Sequence, residues 1–154
     1  LKSRNYFDGS EQVGKNNSDV TGSCLCGAVQ FSISGPLRSI VACHCGQCQR
    51  THGHYAAYTR CLVDDLTMIR EDGLKWYRSS ESATRGFCGE CGASLFWRPA
   101  EGNDISVAAG SLDDVGELKL IGHIFCDDMT GYYTLEDELP KFPKSSGGSF
   151  DDFI

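Results

Sequence analysis

Thiols crowd three short stretches of this 154-residue sequence. Seven of its nine cysteines fall in Cys24-Leu25-Cys26, Cys43-His44-Cys45-Gly46-Gln47-Cys48 and Cys88-Gly89-Glu90-Cys91. Disulfide frameworks mostly join cysteines distant in sequence, and an odd number leaves one unpaired. Close clusters therefore point to metal first and redox chemistry second. The metal that sets of three and four thiolates suit is zinc.

Two ligand sets follow from the spacing. Cys24 and Cys26, one residue apart, project to the same face of an extended segment. Cys88 and Cys91 bracket a tight turn in which glycine admits backbone geometry that a Cβ hinders. Together these four close a tetrahedron, which makes a structural zinc that ties the first strand to the middle of the sheet. Cys43, Cys45 and Cys48 supply three thiols with no fourth ligand beside them, the pattern of a catalytic zinc that keeps a position for substrate. Three thiolates already leave such an ion net negative, so this second zinc is expected to be labile. His44 points away from a metal held by its neighbours and suits a solvent-facing or supporting role, whereas His52 and His54 lie within reach but read first as structural or exposed. Cys45-Gly46-Gln47-Cys48 also has dithiol-oxidoreductase spacing, yet the βαβ context of that motif is absent. Cys61 and Cys126 read as buried free thiols, with Cys126 available as an extra ligand.

The elements that must position these groups are short strands. Val29, Phe31 and Ile33 alternate with Gln30, Ser32 and Ser34, and Gly35-Pro36 ends that strand. Further strands are expected over 39–42, 55–61, 66–70, 74–77, 84–87, 94–98, 105–109 and 123–126, with one short helix over 47–51. Gly, Asp and Asn punctuate them, and long amphipathic helices are missing. Phe31, Trp76, Phe96 and Trp97 could line a pocket but, on strands, read first as core aromatics, and Asp113 and Asp114 as loop-shaping carboxylates. Residues 1–20 read as a polar N-terminal arm, 21–143 as one zinc-binding domain, and 144–154, which opens Lys-Ser-Ser-Gly-Gly-Ser, as a flexible tail.

Composition narrows the partners. With 14 basic against 21 acidic residues the formal charge is −7 and no basic run exists, which argues against nucleic acid. No apolar stretch approaches the roughly 18 residues of a membrane span. No charged-then-apolar leader opens the sequence, and the clustered thiols suit a reducing compartment, so a cytoplasmic protein is expected.

Gly22-Ser-Cys-Leu-Cys-Gly-Ala-Val29, Cys43-His-Cys-Gly-Gln-Cys48, Phe87-Cys-Gly-Glu-Cys-Gly92 and Ala109-Gly-Ser-Leu-Asp113 resemble, in order and spacing, the family of glutathione-dependent formaldehyde-activating enzymes. His123-Ile-Phe125 and Leu139-Pro-Lys-Phe142 extend the resemblance, which covers roughly residues 20–143. It implies a mainly β fold, the β-tent of stacked antiparallel sheets with short helical turns. It also implies two zinc sites, structural at Cys24, Cys26, Cys88 and Cys91 and catalytic at Cys43, Cys45 and Cys48. The implied activity is that of a carbon-sulfur lyase acting on the adduct of glutathione and formaldehyde, S-(hydroxymethyl)glutathione. The family also includes centromere protein V-like members, so the alternative is a non-catalytic zinc module that binds a thiol or a protein partner. Gln49-Arg50 stands where many relatives resemble Arg-Lys, which makes Arg50 the candidate for a substrate carboxylate. Where relatives often carry a Trp, this chain offers Tyr132 or Tyr133.

Overall fold

Period-two alternation does most of the work in this chain. The computed structural model describes residues 19–151. The first 18 residues of the expected arm, and the last three of the expected tail, lie outside the described residues. A three-stranded sheet runs in the order β1-β2-β5, with β1 at Val20–Ser23, β2 at Gln30–Ile33 and β5 at Leu66–Arg70. The larger sheet has seven strands in the order β10-β3-β4-β9-β8-β7-β6. Its members are β3 (Arg38–Cys43), β4 (Ala56–Leu62), β6 (Leu74–Ser80), β7 (Ala83–Cys88), β8 (Ser94–Pro99), β9 (Asp104–Ala108) and β10 (Leu120–Ile124). One α-helix, α1 (Gly46–His52), and short 3-10 turns at Val63–Asp65, Ala109–Ser111 and Cys126–Asp128 complete a mainly β fold.

One face of the large sheet packs on the small one. Phe31 and Ile33 of β2 meet Cys61, Leu95, Phe96, Ile105 and Val107, all buried, and Phe31 sits edge-on to Phe96 with ring centroids 5.2 Å apart. Burying each such side chain contributes about 1.5–3 kcal/mol, and the ring pair adds about 0.5–1.5 kcal/mol. The alternate residues of the same strands, Tyr58 and Arg60, Arg85, Trp97 and Ser106, face the other way and line a cleft. Phe31 and Phe96 are core, as expected, whereas Trp97 belongs to the cleft and Trp76 is half exposed.

Three departures from the expected architecture matter for the site. The sheets are not wholly antiparallel, because β10 pairs parallel to β3, with Ile124 opposite Cys43. The cause is topological: no hairpin joins them, and β10 is reached from β9 by a crossover through 109–119, which passes over β4 and β3. Cys24 and Cys26 are brought together by a turn rather than an extended segment, closed by Gly27 N–H donating to the Cys24 carbonyl at 3.2 Å. Gly27 takes φ +75°, the left-handed region that its lack of a Cβ permits.

The described part of the C-terminal segment is packed on the sheet. Phe150 is buried, edge-on to Phe142 at 5.2 Å, and fills the space over Gly122 that any Cβ there would take. Asp151 pairs with Arg60 at 2.9 Å. Lys144-Ser-Ser-Gly-Gly-Ser reads as linker by composition, but the apolar ring that follows anchors it.

Candidate metal centres

The four-cysteine group sits where the two sheets meet. Cys24 and Cys26 flank the turn after β1; Cys88 ends β7, and Cys91 lies in the turn to β8. That turn is set by Gly92 N–H donating to the Cys88 carbonyl at 2.8 Å and Cys88 N–H donating to the Ala93 carbonyl at 2.9 Å. All four Sγ atoms lie within 4.8 Å of one another; Cys24–Cys26 is 3.6 Å and Cys26–Cys88 is 3.7 Å. Four thiolates at about 2.3 Å around a tetrahedral ion stand about 3.8 Å apart, so this donor set fits zinc. Val29 N–H donates to Cys24 Sγ at 3.3 Å, the outer hydrogen bond that steadies a thiolate. Gly73 closes the back of the site, where a Cβ would come 2.9 Å from Cys88 Sγ. The group thus lies between the small sheet and the β7 end of the large one, where a bound metal would tie the two.

Cys43, Cys45 and Cys48 form the second group, again with Sγ atoms within 4.8 Å. Cys43 is the last residue of β3, Cys45 caps α1 and Cys48 is buried in its first turn. Cys48 N–H donates to Cys45 Sγ at 3.4 Å. Among the described residues no fourth Cys, His, Asp or Glu joins this group. Its negative charge collects first on Cys45, whose pKa is held far below the usual thiol range because the Cys43 and Cys48 thiols donate to it. Cys43, as donor to Cys45, is pushed up. Three sulfurs presented together on one side suit a soft cation with a position left open.

The open side faces a cleft of about 500 Å³. Tyr58, Trp97 and Ile124 give it apolar walls, Arg38, Arg60 and Arg85 bring positive charge, and Ser145–Asp151 runs along its edge. Arg85 Nη2 donates to Cys48 Sγ at 3.8 Å and to Gln47 Oε1 at 3.3 Å. Burial, and then the charge of Arg60, lowers the Arg38 guanidinium to about 10. Arg50 lies on the exposed side of α1 and does not line the cleft.

His44 is fully buried, so of the solvent-facing and supporting roles only the second remains. Its Nδ1 meets the Tyr133 hydroxyl at 2.7 Å and its Nε2 meets His123 Nδ1 at 3.0 Å. His123 Nε2 continues to Asp137 Oδ2 at 3.0 Å. Burial, followed by the neighbouring His123 and His54, pushes the His44 pKa down to about 4. Gln49 braces the same segment by donating from Nε2 to the His44 carbonyl at 2.6 Å and to the Asp128 carbonyl at 2.8 Å. His52 and His54 are turned to tyrosines instead of the cysteines: His52 Nε2 to Tyr58 at 3.0 Å and His54 Nδ1 to Tyr132 at 2.5 Å. Cys61 is a buried thiol, and Cys126 stands outside both groups. Asp113 accepts from Thr21 Oγ1 at 2.6 Å and Asp114 from Gly116 N–H at 2.8 Å, both in loop-shaping contacts.

Arg38, Tyr58, Arg60, Arg85, His123 and Ile124 are among the residues of this site that sequence reasoning did not assign to it, and Trp97 reads in the sequence first as core. The only signal at sequence level is the period-two position of Arg85 and Trp97 opposite core residues of their own strands.

The family model described as glutathione-dependent formaldehyde-activating enzyme matches residues 19–128. A crystal structure of a Rhodobacter sphaeroides protein superposes with a TM-score of 0.54 at 25% sequence identity, over 63% of this chain and 91% of that one. No curated protein matches the chain. Among the described residues no helix is long and apolar enough to cross a membrane.

Proposed function

The chain belongs to the glutathione-dependent formaldehyde-activating enzyme family, and from that premise we propose that it is a cytoplasmic, zinc-dependent carbon-sulfur lyase that makes and breaks S-(hydroxymethyl)glutathione. The observation that carries this reading is the three-cysteine group opening into the cleft. In it Cys24, Cys26, Cys88 and Cys91 hold a structural zinc, while Cys43, Cys45 and Cys48 hold a labile catalytic one.

In the forward direction the glutathione sulfur bonds to the aldehyde carbon, the C=O pair moves to oxygen, and the thiol proton ends on that oxygen; the reverse step expels the thiol. A zinc ion at Cys43, Cys45 and Cys48 would keep a substrate thiol ionised at neutral pH or polarise the aldehyde oxygen. The protein's own share is positioning. Trp97, Tyr58 and Ile124 exclude water from the reacting pair, and holding both reactants in one cleft replaces a bimolecular encounter by an oriented one.

The test is the rate of adduct formation and breakdown, measured with zinc-loaded wild type and with Cys45→Ser. Acceleration in the wild type that Cys45→Ser abolishes, with its fold kept, is the expected result. A rate equal to the uncatalysed one, beside measurable glutathione binding, would replace the enzyme by a thiol-binding module.

A further inference from the structure

Arg85 lies in β7, 7% exposed, on the cleft face of the sheet. Its Nη2 reaches Gln47 and Cys48, but its Nε and Nη1 are buried and have no hydrogen-bond acceptor. Leaving buried N–H donors unmade is costly, and more so on a charged group. A guanidinium in that condition calls for an acceptor that also carries negative charge.

The other cleft arginines are engaged. Arg60 pairs with Asp151 at 2.9 Å and Asp104 at 3.6 Å. Arg38 donates from Nη2 to the Tyr58 carbonyl at 2.8 Å and from Nε to the Ser39 carbonyl at 3.1 Å. Arg60 also keeps a buried Nε without an acceptor, but its two carboxylate partners meet its charge. Among the described residues the cleft arginine with two such donors and no carboxylate partner is the one next to the cysteines. Its distance of 3.8 Å from Cys48 Sγ places an anion held by this guanidinium beside a sulfur that approaches the three-cysteine group.

We propose that Arg85 is the receptor for a carboxylate on the thiol substrate, so that the cleft selects acidic thiols over neutral ones of the same size. This rests on the reading of the three-cysteine group as a thiol site. Carboxylate supplies both the missing acceptors and the opposite charge, in the pairing that guanidinium makes best.

The matched probes are 3-mercaptopropionate and its neutral isostere 3-mercaptopropionamide, titrated calorimetrically into zinc-loaded protein, with zinc content and thermal melts recorded for each variant. Wild type should bind 3-mercaptopropionate roughly tenfold to a hundredfold more tightly. Arg85→Gln should bind both thiols alike while keeping its second zinc, and Arg85→Lys should retain part of the preference. Equal binding by the wild type, or a preference that survives in Arg85→Gln, overturns the assignment while leaving a thiol site in place. Loss of the second zinc in Arg85→Gln, with both thiols weakened equally, makes Arg85 a counter-ion of the cysteines and likewise overturns it. Binding of neither thiol by the wild type removes the thiol reading itself, and the assignment with it.

Discussion

His44 Nε2 stands 3.0 Å from His123 Nδ1, so the centre of the Cys43–Cys48 segment is hydrogen-bonded to the strand beside it. With both rings uncharged, one assignment satisfies the whole series: Tyr133 donates to His44, His44 to His123, and His123 to Asp137. His123→Ala removes a fully buried ring and strands a donor on His44. A loss of about 2–4 kcal/mol is expected by urea titration, with zinc content unchanged. A double-mutant cycle with His44→Ala should show coupling, since the two rings share one network; strictly additive losses would show that the rings act separately.

The two cysteine groups should fail differently. Cys88 is wholly buried and joins the sheets, and a structural zinc is worth on the order of 10 kcal/mol, as much as a typical domain's whole stability. Cys88→Ser should therefore lose cooperative thermal unfolding. Cys45→Ser should melt cooperatively and carry about one zinc where the wild type carries about two. Metal analysis beside the melts separates the cases, and an unchanged count in Cys45→Ser would contradict the second site.

Burial, with the charges of Asp65 and Asp104, pushes the Cys61 thiol up to about 12 from the ordinary 9.0. The folded state then holds the proton that the unfolded state gives up, so this residue lowers stability as pH rises from about 9 towards 12, by up to about 1.4 kcal/mol per unit. It contributes no slope below pH 8. Cys61→Ala should cost about 1 kcal/mol at neutral pH and flatten the alkaline limb of the stability profile. A limb as steep as that of the wild type would assign it to other groups.

Phe150 tests the packing of the C-terminal segment. Phe150→Ala should destabilise by about 3 kcal/mol and speed hydrogen exchange in 145–151. Gly122→Ala should do similar damage from the other side, because the added methyl meets the Phe150 ring and the Pro140 carbonyl. Wild-type exchange in both variants would mean that the ring does not anchor the segment.

Much of this was readable in advance, and what was not has a common cause. The cysteines announced both candidate metal groups because ligands two or three residues apart need no knowledge of the fold. Val29, Phe31 and Ile33 announced their strand because alternation is local. Arg85 was silent and Trp97 read first as core: each owes its place to strand order, which brings β7 and β8 round to β4 and α1. His123 looked like one end of a strand over 123–126, but it belongs to Leu120–Ile124 and to a pairing set by a distant crossover. β1 escaped notice because four residues that include Gly22 carry little pattern.

The parallel pairing of β10 with β3 also sets an order of events during synthesis and folding. Cys43 and its partner Ile124 are separated by all of β4 through β9, and contacts of such span form slowly because loop closure precedes any reward. The two cysteine turns can take up metal once residue 91 has been made. The wall of the cleft that carries Ile124 and the segment to Asp151 is made later than both. For that interval the nascent chain presents a reactive thiol cluster with its side wall missing, which makes residues 120–151 a matter of chaperone and redox protection as well as of architecture.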